Sequence, residues 1–373
     1  MVALQQGWRL QSRMLTALRS GDVMALDFLL NLGLDVDSTF RLGGWSRPAL
    51  CLAVERGYNK LVEMLVARHC STALLDRDGL SPLHLAAILG HQDIVRILLE
   101  NRAEVDAPNT NRGDTPLHLA ASNRQIHIVR LLVKYGASVD AVNKNGQTPL
   151  MYAAAKGDAE AVRALIAGGA NIRAVDRTGN TALLSHASSA WLNLEVTQLL
   201  CPDNEVADTP NQAGDYPILE IVKSTSAARQ ECLQALLQRR ANLDVVNPLG
   251  STALLLACCN SDWISARMLV RGGGDLSLSD TLGRSAIFIA LQNENFLLAD
   301  AMLAAGGSCK LSADQSNQLG AAANAYMKLI RLNSLKYNAR SVVRRVWRRQ
   351  IKDHVDSSCI PLQLKHYVYY LLE

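Results

Sequence analysis

A four-residue pattern returns through this chain every 33 to 36 residues. It reads Ser81-Pro82-Leu83-His84, then Thr115-Pro116-Leu117-His118, then Thr148-Pro149-Leu150-Met151. Looser copies follow at Thr181-Ala182-Leu183-Leu184, Tyr216-Pro217-Ile218-Leu219, Thr252-Ala253-Leu254-Leu255 and Ser285-Ala286-Ile287-Phe288. Arg47-Pro48-Ala49-Leu50 precedes them all. A fixed period of this length excludes a single globular core. It predicts a stacked array of small units, none able to bury its own apolar faces. Arrays present long open surfaces, which suit binding better than catalysis.

The clearest unit runs from Asp76 to Asp106. Gly79 permits a tight turn, and Pro82 fits the first turn of a helix, where its missing N–H costs nothing. Leu83, Leu85, Ala86 and Ala87 give that helix a close-packing apolar face. Gly90-His91 breaks it, and Ile94, Val95, Ile97, Leu98 and Leu99 mark a second helix at three- and four-residue spacing. This unit resembles the ankyrin repeat, and the resemblance spans about residues 10 to 312. Alignment of Ala17 with Ala53 and of Gly21 with Gly57 adds an atypical first unit from Met14 to Asp37. Gly43-Gly44 lengthens the first finger, Trp191 falls in a lengthened inter-helix turn, and Ser224-Thr225-Ser226 lengthens the next such turn. Insertions of this kind lie on the surface of an array.

Aromatic residues make up only 5% of the chain against 49% hydrophobic, which suits thin layers of Leu, Ala and Val. No run approaches the roughly 18 apolar residues of a membrane span. Met1 to Met14 is polar and basic, without the apolar centre of a secretory signal. Eight scattered cysteines, adjacent only at Cys258-Cys259, read as reduced core residues of a cytoplasmic or nuclear protein.

Signatures of catalysis are missing from the sequence. It holds no Gly-x-Ser-x-Gly, P-loop, His-Glu-x-x-His or Cys-x-x-Cys, so no enzyme activity, cofactor or metal is expected. Gly272-Gly273-Gly274 lacks the setting of a dinucleotide loop, and the ankyrin resemblance implies that such glycines lie just after the second helix, where a C-cap needs positive φ. In the ankyrin resemblance, His84 and His118 bond neighbouring backbone groups and link repeats. The resemblance also implies binding through hairpin tips and first helices. The candidate partner-binding residues are therefore Arg77, Asp78, Asn111, Arg112, Lys144, Asn145, Arg177 and Thr178, with Leu282 at a later tip and Trp191 in the irregular unit.

The last 43 residues break the period and carry the basic charge. Residues 331–373 hold nine Lys/Arg against three Asp/Glu, a net +6. The preceding 330 residues hold 29 against 31, a net −2. On a helical wheel Leu335, Ala339, Val342, Val343, Val346 and Trp347 share an arc of about 140°, with Arg340, Arg344, Arg345, Arg348 and Arg349 outside it. This pattern predicts an amphipathic helix. Its arginines also fit nuclear import or nucleic-acid contact, whereas Val and Trp at helical spacing among them fit packing.

The segment resembles the SOCS box, the module that recruits Elongin B and Elongin C. Ser334, Leu335, Ala339 and Val343 match the spacing of its first element, with Ala339 in place of the usual Cys. Its second element, Leu-Pro-x-Pro, corresponds to Ile360-Pro361-Leu362-Gln363, which lacks the second Pro. The chain ends on Tyr367-Val368-Tyr369-Tyr370-Leu371-Leu372-Glu373, close to the aromatic and leucine-rich finish of that family.

Repeats followed by this module are the layout of the ankyrin repeat and SOCS box family. The resemblance implies an all-α ankyrin array over 1–312, a linker and capping helix over 313–330 and a SOCS box over 331–373. It also implies a substrate receptor for a cullin-5 ubiquitin ligase with its RING subunit. Leu335, Ala339 and Val343 would contact Elongin C, and Ile360, Pro361 and Leu362 would contact cullin-5. The alternative is a plain ankyrin scaffold or inhibitor whose C-terminal helices only cap the array.

Overall fold

A computed structural model describes residues 2–42, 45–308, 313–321 and 323–327. The SOCS-like segment from 331 to 373 lies outside the described residues. By internal packing the chain divides into two units, Met1–Ala241 and Asn242–Glu373, a division inside the stretch read above as one array.

The first unit opens with α1 (Val2–Ser20) and α2 (Val23–Asn31). The first helix thus begins well before the Met14 start expected for the first repeat. An antiparallel hairpin follows, β1 (Thr39–Leu42) with β2 (Trp45–Pro48), in the register Thr39↔Pro48 and Phe40↔Arg47. Helix pairs then succeed one another: α3 (Ala49–Glu55) and α4 (Asn59–Ala67), α5 (Pro82–Leu89) and α6 (Gln92–Glu100), α7 (Pro116–Ser122) and α8 (Ile126–Lys134), α9 (Pro149–Ala155) and α10 (Ala159–Ala167). The irregular unit supplies α11 (Ala182–Ala187), α12 (Leu194–Leu200) and a short α13 (Asn204–Ala207). The last pair is α14 (Pro217–Lys223) and α15 (Arg229–Gln238). In the second unit, α16 (Ala253–Cys259) and α17 (Trp263–Arg271) precede α18 (Ala286–Gln292), α19 (Phe296–Ala304) and α20 (Ala313–Gln318).

Helices of six to ten residues are too short to persist alone in water, so tertiary packing must hold them. The tetrapeptide starts each first helix after α1. Thr148, Thr181, Thr252 and Ser285 accept the N3 backbone N–H, and Pro82, Pro116, Pro149 and Pro217 occupy the first turn. Its central apolar residue then enters the core: Leu117, Leu150 and Leu183 are wholly buried. In the first unit the first helices α1, α3, α5, α7, α9, α11 and α14 pack in sequence order. The second helices α2, α4, α6, α8, α10, α12 and α15 form a parallel row. The second unit repeats this on a smaller scale, α16 against α18 and α17 against α19. There Leu319, Ala323, Tyr326 and Met327 are buried, and the Tyr326 ring lies 4.8 Å from Phe296 of α19.

Candidate functional site

Between successive helix pairs the chain projects a finger, and one side chain folds each fingertip. Asp76, Asn109, Asn143, Asp176 and Asn211 each accept backbone N–H bonds from residues two to five positions ahead. Asp76 Oδ1, for example, accepts from Asp78 at 2.9 Å and from Leu80 at 2.8 Å. From the Asn109 finger onward, each of these fingers is tied to the one before it through the backbone. Thr110 donates to Gly79 (3.2 Å), Lys144 to Arg112 (2.8 Å), Arg177 to Asn145 (2.9 Å) and Gln212 to Thr178 (2.9 Å). Asp37, Asp106 and Asp140 add a second tie by accepting from Ser71, Ser138 and Asn171 of the next repeat. The fingers of the first unit therefore stand in fixed register.

Arg77, Asp78, Asn111, Arg112, Lys144, Asn145, Arg177 and Thr178 are all exposed along this row. Two of them also hold neighbouring tips together. Asn111 Nδ2 donates to the Asp78 carbonyl at 2.8 Å, and Lys144 Nζ donates to the Thr110 and Asn111 carbonyls at 2.6 and 3.1 Å. Arg77 pairs with the adjacent Asp78 at 3.1 Å. Trp191 stands apart from the row, in the turn between α11 and α12. It is more than half exposed, with the Arg124 guanidinium 5.3 Å from its ring centre.

The buried histidines serve the fold. In His84, Nδ1 accepts from the Ser81 N–H and lies 2.7 Å from Ser81 Oγ, which leaves Nε2 to donate to the Asp114 carbonyl at 2.9 Å. His118 repeats this with Thr115 and the Gln147 carbonyl. The linking role expected for both is what the structure shows. A third, His186, escaped the sequence reading because Leu184 occupies the tetrapeptide position. Its ring reaches the Ala154 carbonyl at 2.9 Å and Asn193 in the irregular turn at 3.1 Å. Burial lowers all three imidazoles below their usual pKa.

A buried polar cluster was equally invisible in the sequence. Asp114 Oδ1 accepts from Tyr152 Oη at 2.9 Å and from Asn143 Nδ2 at 2.8 Å. Desolvation and the nearby carboxylate raise the Tyr152 phenol. Burial likewise pushes the Cys51, Cys70 and Cys258 thiols up to about 12 and Cys201 to about 11, which keeps them protonated and unreactive. Among the described residues no group of three or more His, Cys, Asp or Glu could hold a metal ion, and no helix is long and apolar enough to cross a membrane.

The family model for ankyrin repeats matches three overlapping stretches, residues 13–109, 50–143 and 135–212, together over half of the chain. The chain belongs to the ankyrin-repeat family. It is 41% identical over 87 residues to Notch-regulated ankyrin repeat-containing protein B of Danio rerio, a match covering 22% of this chain and 76% of that protein. The Notch-regulated ankyrin repeat-containing proteins of Homo sapiens and Xenopus tropicalis are each 39% identical over 87 residues, covering 22% of this chain and 74% of theirs. Ankyrin repeats form extended protein-interaction surfaces, and the finger row has the matching form: rigid, repetitive and open.

Proposed function

We propose that this ankyrin-repeat protein is a substrate receptor: its repeats hold a client protein and its C-terminal segment recruits Elongin B, Elongin C and cullin-5. One sequence observation carries the ligase half of this reading. A SOCS-like order, Ser334-Leu335, Ala339, Val343, then Ile360-Pro361-Leu362, follows the array at the spacing that family uses. The client half is supported by tips whose exposed side chains differ from repeat to repeat while their backbones are locked in register. Such a protein performs no chemistry. It raises the effective concentration of a client lysine near the charged conjugating enzyme. The deciding experiment is co-purification of the full chain with Elongin B and Elongin C. Capture of neither, with a client still bound, would leave an ankyrin scaffold that recruits no ligase.

A further inference from the structure

In the five fingers of the first unit that follow the β1–β2 hairpin, the residue just before each tip-folding Asp or Asn is apolar: Leu75, Pro108, Val142, Val175 and Pro210. All five are exposed, Val142 at 63% and Val175 at 53%. Isolated exposed apolar side chains are ordinary on any surface. Five at one structural position, on fingers held in register by backbone bonds, make a regular, narrow stripe of apolar steps instead. The charged side chains exposed beside it at the tips are Arg77 (paired with Asp78), Arg112, Lys144 (whose Nζ also bonds the Thr110 and Asn111 carbonyls) and Arg177, three net positive charges over the row. The carboxylates of Asp76 and Asp176 are occupied with backbone N–H groups, and Asp114 is buried.

We propose that this stripe is a docking track for an acidic segment in polyproline II conformation with an apolar residue at every third position. The assignment rests on reading the fingers as the client surface, and it names the kind of segment that surface takes. The spacing carries it. Helices packed side by side lie about 8–10 Å apart, so the stripe offers one apolar contact per step of that size. A polyproline II helix has 3 residues per turn and rises about 3.1 Å per residue, so its every third side chain points the same way at about 9 Å intervals. A β-strand alternates its side chains with period two, so positions three apart face opposite ways. An α-helix reaches a similar interval only every seven residues, and a track one side chain wide would leave most of its apolar face uncovered. Polyproline II also enters binding with little conformational entropy to lose. Acidic residues at the intervening positions would meet the tip cations, whose attraction weakens with salt.

The test uses the full chain and fluorescein-labelled peptides of five Leu-Pro-Glu repeats, read by fluorescence anisotropy. We expect saturable binding that weakens at least tenfold in 0.5 M salt. A peptide of the same composition in shuffled order, and one with Lys in place of Glu, should each bind at least tenfold more weakly. The double variant Val142→Asp, Val175→Asp should also lose at least tenfold, and Val142→Ser, Val175→Ser should lose severalfold. Both pairs should melt like wild type, because these side chains contribute no core. No binding, equal binding of the shuffled peptide, unchanged affinity of the double variants, or tighter binding of a helical peptide with Leu at every seventh position would each overturn the assignment. None of these readouts involves Elongin or a captured client, so the track can fail while the receptor reading stands, and the reverse.

Discussion

His118 reaches from one repeat into the next: its Nε2 lies 2.9 Å from the Gln147 carbonyl while Nδ1 accepts from Thr115 of its own helix start. Accepting at Nδ1 needs the neutral ring, and burial holds its pKa below the usual value, as it does for His84 and His186. An unfolded histidine takes up its proton near pH 6.5, whereas these three stay neutral to lower pH in the fold. The unfolded state therefore binds more protons in this window. The stability these rings contribute is complete above about pH 6.5 and is lost as the pH falls. Denaturant unfolding should show a lower free energy at pH 5.5 than at pH 7, with a slope of at most about 1.4 kcal/mol per pH unit for each histidine. His118→Asn should unfold more easily at pH 7 but with a shallower pH slope. Stability that is flat or rising on acidification would exclude this role.

Leu117 is wholly buried between neighbouring first helices, so Leu117→Ala should cost about 2–5 kcal/mol in unfolding free energy. Arg177 is exposed at a fingertip, and Arg177→Ala should stay within about 0.5 kcal/mol of wild type. Amide exchange offers a regional comparison. The tetrapeptide is least altered in residues 76–175, so those helices should exchange most slowly, and equal or faster exchange there than in 181–310 would refute it.

Much of the array could be read from the chain because the array is local. One tetrapeptide fixes a helix start, and its spacing fixes the repeat, so Leu83, Leu117 and Leu150 announce the core. What escaped depends on contacts between repeats or on backbone conformation that no residue type signals. Arg124, Ser261 and Glu294 adopt positive φ at the inter-helix turn, where Gly57, Gly90 and Gly157 stand in sister repeats. Glycine marks that need in sequence, and the other three residues conceal it. Nothing in the sequence marks Asp114, and only the fold brings Tyr152 and Asn143 to its carboxylate. The apolar stripe stayed hidden because its members lie outside the tetrapeptide and the helices and differ in type, Leu75, Pro108, Val142, Val175 and Pro210.

Two glycines separate the effect of backbone strain from that of collision. Gly157 has φ +64°, and a Cβ there would collide with the Trp191 carbonyl oxygen. Gly169 has φ +92° and open space around the same position. Gly169→Ala should cost only the left-handed conformation, about 1–2 kcal/mol. Gly157→Ala should cost more and also shift the irregular turn. Trp191 fluorescence should respond only to the second substitution, because moving that turn breaks the stacking of Arg124 on the indole. Equal melting temperatures for the two variants would mean that the turn yields freely.

The C-terminal segment decides between receptor and scaffold. Under the receptor reading Leu335 is the anchor in Elongin C, with Ala339 and Val343 one and two turns along the same stripe. Burying one leucine in a partner pocket is worth roughly 1.5–3 kcal/mol, so Leu335→Asp should weaken Elongin binding tenfold to a hundredfold or more. It should remove both Elongins from the purified complex. The double variant Pro361→Ala, Leu362→Ala should keep the Elongins and lose mainly cullin-5. Gln363 stands where the resembled motif has its second Pro, so a wild type that holds Elongin but little cullin-5 should gain cullin-5 through Gln363→Pro. In a scaffold, Leu335 would instead be buried against the array, and Leu335→Asp would lower the melting temperature without changing any partner. Measuring melting temperature and co-purification on the same protein separates the two, since a receptor loses its Elongins at unchanged stability.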